Sequence, residues 1–388
     1  MIDIRKMGET KFPGVEYEGK GVRPLNIHTV IVKVTNDCNL DCRYCFVEKS
    51  APRRVLISLD TIQRILEELE QHSSQPVIHL TWHGGEPMLA GIWFYRQVVE
   101  LQKRFNKKKF VNAIQTNGML INDEFAELFK EHAFSVGVSL DGPQAINDSV
   151  RIDKAGNGTF QRIAENLAFL KKHNVNFGIL ATVARHNVGH AGELYDFLKN
   201  NGFSTTFSVL FLSGRARDNI DRLSISPSEF ADFLVEVADL WMHDAEPTSM
   251  RFIELILGNL LAGGQRNKTC IFCNKCHESF LAIGPTGDLY PCCFFQGHEN
   301  FKYGNIHETS LSQIMETPVW HAMEERVEYI DHTCGRCDIE EYCHGGCAFN
   351  ALATHGTILK KDPYCAAYRK AIPRMVNMLG NLVGEMCH

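Results

Sequence analysis

The chain has 388 residues, and 40 basic against 46 acidic side chains give it a formal net charge of −6. With 44% hydrophobic, 10% aromatic and 22% charged residues it has the composition of an ordinary folded protein, which excludes disorder, collagen and coiled coil. The mild acidity leaves no electrostatic footprint for nucleic acid or an anionic membrane, no apolar run reaches the ~18 residues of a membrane span, and Met1 to Lys6 lacks the apolar stretch of a secretory signal, so a cytoplasmic protein is expected.

Residues 1–28 are too few for a domain of usual size and are read as an N-terminal segment. Val30-Ile31-Val32-Lys33-Val34 predicts a first strand, followed at once by a loop carrying Cys38, Cys42 and Cys45. Ser58 caps a helix whose Ile62, Ile65, Leu66 and Leu69 recur at helical spacing. Val77 to Trp82 is the next strand, ending in Gly84-Gly85, and Lys107-Lys108-Lys109 reads as a solvated helix end. Val111 to Thr116 is the third strand, closed by Asn117-Gly118, with a helix from about Asn122 to His132. Ser135 to Leu140 is the fourth, Phe177 to Val183 the fifth and Phe207 to Leu212 the sixth.

Strand, loop and helix in repetition argue for parallel βα units around a buried sheet. Six units fit into 29–212, whereas a closed eightfold barrel usually needs ~250 residues. The expected fold class is therefore α/β, an open, partial (β/α)6 TIM-like barrel, with its chemistry at the C-terminal ends of the strands. Residues 213–268 read as a helical connection, with Gly263-Gly264 ending its second helix. A cysteine-rich segment occupies 269–366, and an amphipathic helix over about 366–384 fills the C-terminal 367–388.

Fourteen cysteines in a chain expected to stay in a reducing compartment make a poor disulfide framework. They segregate: Cys38, Cys42 and Cys45 near the start, the others from Cys270 to Cys387, and none between. That suggests two metal-bearing regions joined by a cysteine-free body. Cys38-x3-Cys42-x2-Cys45 offers three thiolates in one tight loop. A [4Fe–4S] cubane normally takes one cysteine per iron, so three local ligands leave one iron open to a non-protein ligand. Structural zinc wants four ligands in paired spacings; the plain alternative is free buried thiols or part of a zinc site. The second region runs Cys270-x5-Cys276, Gly287-x4-Cys292, Cys334-x2-Cys337-x5-Cys343-x3-Cys347, then Cys365. By spacing alone it serves zinc as well as iron–sulfur clusters.

The CxxxCxxC loop after a first strand resembles the hallmark of the radical S-adenosylmethionine (SAM) superfamily. The resemblance implies that SAM chelates the open iron through its amino and carboxylate groups, with Tyr44 where the family's loop meets the adenine. Gly84-Gly85-Glu86-Pro87 resembles the family's GGEP motif, which binds the SAM amino group; glycines allow close backbone approach and a carboxylate suits an ammonium. Gln115, Asn117 and Ser139 stand at strand ends that in relatives touch the ribose and carboxylate of SAM. Arg151 stands where relatives pair an arginine with that carboxylate. The second region is similar to the SPASM extension of peptide- and protein-modifying members. Carried over, Cys270, Cys276, Cys292 and Cys347 hold one auxiliary [4Fe–4S] cluster, and Cys334, Cys337, Cys343 and Cys365 a second. Cys273 is a spare thiol beside the first set, and Cys387 a terminal one.

Trp82-His83-Gly84-Gly85-Glu86-Pro87, Ser139-Leu140-Asp141-Gly142-Pro143 and Tyr290-Pro291-Cys292 place the resemblance nearest anaerobic sulfatase-maturating enzymes and maturases of ribosomal peptides. One departure stands out. Sulfatase maturases carry, immediately after the auxiliary-cluster cysteine, an aspartate proposed to deprotonate the substrate; here that place is Cys293. A thiol could serve only with a lowered pKa, and the bland reading is a buried hydrophobe. His83, His277 and His298 are candidates for acid–base work only by proximity to motifs.

The resemblance thus implies an oxidoreductase with three [4Fe–4S] clusters and SAM, which abstracts hydrogen from a peptide or protein side chain through a 5′-deoxyadenosyl radical. A cross-link, an unsaturation or a formylglycine-type product would follow. A reduced flavodoxin- or ferredoxin-type donor is the expected electron source, with neither nucleic acid nor membrane as partner. Two other readings stay open: an enzyme of the same superfamily acting on a small metabolite, and a non-catalytic iron–sulfur or zinc protein. Metal analysis separates the last, since three cubanes require about 12 iron atoms per chain.

Overall fold

The βα alternation is built on six parallel strands, β1 (Thr29–Thr35), β2 (Val77–Gly84), β3 (Lys109–Thr116), β4 (Ser135–Ser139), β5 (Phe177–Val183) and β6 (Thr205–Val209). The computed structural model describes residues 25–48, 54–263 and 270–386; most of the expected N-terminal segment, Gly264 and the boundary at 269, and Cys387 lie outside the described residues. Helices Leu59–His72, Gly91–Gln102, Asp123–Glu131, Phe160–Lys172 and Ala191–Asn200 return the chain between strands. Their starts follow from local chemistry. The Ser58 side chain accepts from Thr61 N, and Asn122 accepts from Phe125 N. Ser226 and Glu229 cap each other ahead of helix Pro227–Met242, with Pro227 in its first turn. Ile62, Ile65, Leu66 and Leu69 turn inward from the first helix as their spacing predicts.

The sheet does not close on itself. Its order is β6-β5-β4-β3-β2-β1-β7-β8-β9, so the free side of β1 is taken by β7 (Phe280–Ile283), parallel to it, with Val32 opposite Ile283. β8 (Asp288–Tyr290) and β9 (Gly304–Asn305) follow antiparallel. The barrel strands and the cysteine-rich segment therefore share one sheet, and one apolar core runs from Val30, Trp82 and Tyr95 to Ile283, Phe349 and Tyr368. The last helix, Cys365–Met386, packs along Pro227–Met242, with Phe230 edge-on to Tyr364 and Tyr368.

Three sequence expectations shift. The lysine run is not a helix end: Lys107 and Lys108 precede β3, which Lys109 opens. The sixth strand begins earlier and ends before Leu210, because Thr205 and Thr206 pair with Ile179 and Leu180. The last helix begins at Cys365 itself.

Candidate functional site

Cys38, Cys42 and Cys45 leave the C-terminal end of β1 in a loop pinned on both sides. Asp41 N donates to Ile152 O (2.8 Å) and Arg43 N to Val150 O (2.9 Å). From β3, the Asn117 amide reaches Asn39 Oδ1 (2.7 Å) and Cys38 Sγ (3.6 Å), and Leu40 N also points at Cys38 Sγ (3.4 Å). Burial pushes Cys38 up to about 11 and Cys42 up to about 12, and thiols must lose their protons to bind metal.

The Gly84-Gly85-Glu86-Pro87 turn serves this loop first. Gly85 N donates to Thr35 O (2.7 Å) and Glu86 N to Asp37 O (2.8 Å). A Cβ on Gly85 would lie 2.0 Å from Asp37 O and one on Gly84, at φ +135°, 2.1 Å from Thr35 O. The glycines thus admit the cysteine loop's own backbone at close range. The Glu86 carboxylate is fully buried and already accepts from Met88 N, Thr116 Oγ1 and Asn117 N (2.7–3.0 Å); burial still raises it to about 7. Three donors from inside the chain thus already meet its two oxygens.

Gln115 Nε2 donates to Ser139 Oγ (3.0 Å), lying across Gly137, where a Cβ would stand 2.2 Å from the amide oxygen. Gln115 and Gly137 also line a cavity of about 320 Å³ that continues past Gly178, Thr206 and Arg251.

Tyr44 and Arg151 meet on Asp141, a residue that sequence reasoning had noted only as part of a turn. The fully buried Asp141 carboxylate accepts from Arg151 Nε (3.0 Å) and Nη2 (3.2 Å), Tyr44 OH (2.5 Å) and Thr182 N (2.9 Å). His186 Nε2 lies 3.5 Å away. Burial alone would raise this carboxyl, but Arg151, His186 and Tyr44 hold it below the usual carboxylate range. The Arg151 guanidinium also sits 5.1 Å over the Tyr44 ring, which stacks on His186. Both residues expected to contact SAM are thus engaged with Asp141, beside the Cys42 thiol.

The second cysteine region brings its thiols into two sets. Successive turns, Cys273 N to Cys270 O and Cys276 N to Cys273 O (both 3.3 Å), line up the first three. Cys347 acts electrostatically on Cys270 and Cys292, as Cys276 does, while Cys334, Cys337, Cys343 and Cys365 act on one another. Between the sets lies buried Arg326, which sequence reasoning missed. Its guanidinium donates to Lys360 O (2.6 Å), Gly346 O (3.0 Å) and Ile358 O and feels Cys347, Cys276 and Cys334. Thiolates sharing one zinc ion stand about 4 Å apart; among the described residues no three His, Cys, Asp or Glu side chains converge to hold a single ion.

The two regions meet at an aromatic seam. Phe294 stacks on Phe211 (3.8 Å), and packs on Phe46 (4.7 Å) and Phe349 (5.5 Å). Beside it Glu48 accepts from Ser213 Oγ (2.6 Å) and Arg217 Nη2 (3.1 Å), with His298 Nε2 at 3.6 Å. Burial opposes the Glu48 charge, but His298, Ser213 and Arg217 bring the carboxyl down to about 2. Cys293 is buried there, and burial raises its thiol although Lys33 pulls the other way. The shift is opposite to what a thiolate base requires, so the bland reading of Cys293 as a buried small hydrophobe fits this structure. His83, half-buried on β2, is lowered to about 4 by desolvation and by Lys33, and its Nδ1 accepts from Gly84 N (2.6 Å). His277 is buried against Trp320 (4.8 Å).

The model of the radical SAM superfamily matches residues 32–198, and that of an iron–sulfur cluster-binding domain, SPASM, matches 270–338. The chain belongs to the radical SAM superfamily. Its curated relatives include a cysteine-type anaerobic sulfatase-maturating enzyme of Clostridium perfringens, 28% identical over 92% of this chain and 99% of the relative. A serine-type enzyme of Bacteroides thetaiotaomicron is also 28% identical, over 84% of each chain. A solved structure, native anSMEcpe with bound AdoMet and Cp18Cys peptide, superposes with a TM-score of 0.80 at 26% identity, covering 91% of this chain and 99% of that one. The radical SAM and SPASM domains imply [4Fe–4S] clusters and SAM as this enzyme's cofactors, and the thiol sets supply the soft donors that such clusters require.

Proposed function

We propose that this radical SAM enzyme is a SPASM maturase that oxidises a side chain of a peptide or protein. The observation that carries the reading is the Cys38, Cys42 and Cys45 loop: three thiols at the C-terminal edge of a parallel sheet, with no fourth cysteine in the loop. On this reading residues 29–212 form the catalytic core, 213–268 a helical connection and 269–366 the SPASM domain. Cys270, Cys276, Cys292 and Cys347 hold one auxiliary cluster, and Cys334, Cys337, Cys343 and Cys365 the other.

With SAM bound at the three-cysteine site, the cofactor supplies a 5′-deoxyadenosyl radical able to take hydrogen from an unactivated carbon, chemistry beyond any side-chain acid or base. The chain's residues position and shield. Asn117 orients the cysteine loop through Cys38 and Asn39. The Gly84–Pro87 turn offers backbone to the SAM ammonium, and Gln115 with Ser139 faces the ribose. Arg151 stays a cation through Asp141 and lends its positive field to the SAM carboxylate. Phe46, Phe211 and Phe294 close the seam against water, which a radical must not meet.

Relatives named for cysteine- and serine-type maturation, and one solved with a cysteine peptide, make Cys- and Ser-containing peptides the first candidate substrates. The absent aspartate at Cys293 argues for a different deprotonating group and leaves formylglycine, cross-link and unsaturation as product classes. A reduced flavodoxin or ferredoxin is the matching donor. Among the described residues no helix is long and apolar enough to cross a membrane.

The test is anaerobic incubation of reconstituted enzyme with SAM, reductant and Cys- or Ser-containing peptides. About 12 iron atoms per chain are expected, with 5′-deoxyadenosine formed alongside a change in peptide mass. SAM cleavage with no mass change in any peptide would overturn the maturase reading.

A further inference from the structure

The cavity of about 320 Å³ that starts at Gln115 crosses four strands of the sheet. Register places Gln115 of β3 opposite Gly137 of β4, and Gly137 opposite Gly178 of β5. Beyond Gly178 the wall continues through Ser204 and Thr206 at the start of β6. It ends at Ser249 and Arg251, where Thr205 N donates to Ser249 O (2.8 Å). Alternation along β5 sends Ile179 and Ala181 into the apolar core, so Gly178 shares the other face with Leu180 and Thr182.

Glycine inside a strand weakens it, and often marks a place where a ligand or another backbone comes close. Gly137 has its reason within the chain, because the Gln115 amide lies across it where a Cβ would stand. Gly178 has no such reason. A Cβ there would meet only Ser204 O, at an ordinary 3.6 Å, and its φ is not positive, so other residues could stand in its place. With no side chain on either glycine, two neighbouring strands are bare at one level, and the cavity lies over them. Arg251 is the one charged residue of the wall, and no carboxylate among the described residues pairs with it.

We propose that this cavity seats the substrate peptide beside its target residue, that Gly178 sets what fits, and that Arg251 selects a carboxylate on the peptide. The inference rests on the maturase reading above and deepens it. The cavity opens from Gln115, which that reading sets against the SAM ribose, so its occupant lies next to the place where hydrogen is taken. Its volume is at the small end of the ~300–1,000 Å³ of ligand sites, room for a short stretch of peptide and not for a folded domain. Hydroxyls of Ser204, Thr206 and Ser249 line it beside Leu180, a mixture suited to peptide groups. The guanidinium at the far end matches a carboxylate with paired N–H donors. About four strand spacings of ~4.8 Å separate the two ends, a span that about five residues of extended peptide cover at ~3.3–3.6 Å each. The selected carboxylate therefore belongs within about five residues of the target.

The experiment compares wild type, Gly178→Ala, Gly178→Val and Arg251→Glu as full-length, anaerobically loaded enzymes. The probes are Cys- and Ser-containing peptides in matched Asp, Asn and Lys versions, the varied residue within about five of the target, each with a free and an amidated C-terminus. KM and kcat for peptide modification are read, together with bound iron and unfolding temperature. Wild type should show a KM about fivefold lower for the Asp than for the Asn version, the worth of one exposed ion pair. Arg251→Glu should cancel that preference or turn it toward Lys. A preference that instead follows the free C-terminus and vanishes on amidation supports the same site, with the chain end as the carboxylate. Gly178→Val should raise the peptide KM about tenfold, with kcat changed less and Gly178→Ala in between. Its iron and unfolding temperature should hold, since valine suits a strand; if either falls, Gly178→Ala and Arg251→Glu decide in its place. An unchanged KM in loaded Gly178→Val, or a wild type indifferent to peptide charge, overturns the proposal. Wild type that cleaves SAM yet modifies no peptide defeats the maturase reading itself, and this proposal with it.

Discussion

Asp141 has no place in the metal chemistry, yet it fixes the residues around the Cys42 thiol. Its carboxylate carries Arg151, Tyr44 and the Thr182 amide at once, with no exposure to water. Removing one partner of a buried ion pair leaves the other charge unanswered, which costs about 3–5 kcal/mol. Asp141→Asn should therefore lower stability by about 3 kcal/mol in denaturant titrations of the metal-free chain. The sign of its pH dependence follows from the lowered carboxyl. A depressed folded-state pKa gives stability that is complete above the unfolded value of about 3.9 and is lost as pH falls through the folded value. The gap between wild type and variant should hold near neutrality and narrow only in acid; a gap that widened there would refute the assignment. Tyr44 was legible in the sequence because it directly precedes Cys45 of the cysteine loop, and Arg151 only through the family resemblance. Asp141 was not singled out, since an aspartate in Asp-Gly-Pro reads first as turn chemistry.

At the scale of elements, periodicity gave five of the six barrel strands within two residues, and the cap residue Ser58 marked a helix start. The addition of β7 to β1 was hidden. Four residues, Phe280–Ile283, carry too little pattern, and a parallel pairing across some 250 intervening positions leaves no local trace. The Gly-Gly-Glu-Pro turn was legible as a motif but not in its role, since only the fold reveals Thr35 and Asp37 behind it. A methyl group on Gly85 would meet the Asp37 carbonyl, and backbone cannot yield as a flexible side chain does. Overpacking costs about 1–3 kcal/mol, more where backbone must move. Gly85→Ala should displace the cysteine loop and lower bound iron by about four atoms per chain, the content of one cubane. Gly189→Ala, where a Cβ meets nothing within 4 Å, is the matched control and should keep full iron. Equal iron in both variants would show that the turn does not support the loop.

For the whole molecule, the sheet order sets what can be separated. Sequence composition suggested a barrel followed by a distinct cysteine-rich unit, yet β1 lies between β2 and β7 and belongs to both. The core shows the same continuity, with Tyr364 and Tyr368 packed on Phe230 and Phe349 packed on Phe294. A chain ended at residue 263 would lose β7 and bare one edge of β1. It would also uncover the face of helix Pro227–Met242 that the C-terminal helix protects. An exposed edge rich in Val and Ile is a template for pairing with other chains, and the uncovered helix face adds an apolar patch beside it. Residues 1–263 expressed alone should therefore aggregate or run as large assemblies in size-exclusion chromatography, even with Cys38, Cys42 and Cys45 intact. A monomeric 1–263 with a cooperative thermal transition and about four bound irons would show instead that the barrel stands without its extension, and that the auxiliary region is appended to the fold instead of completing it.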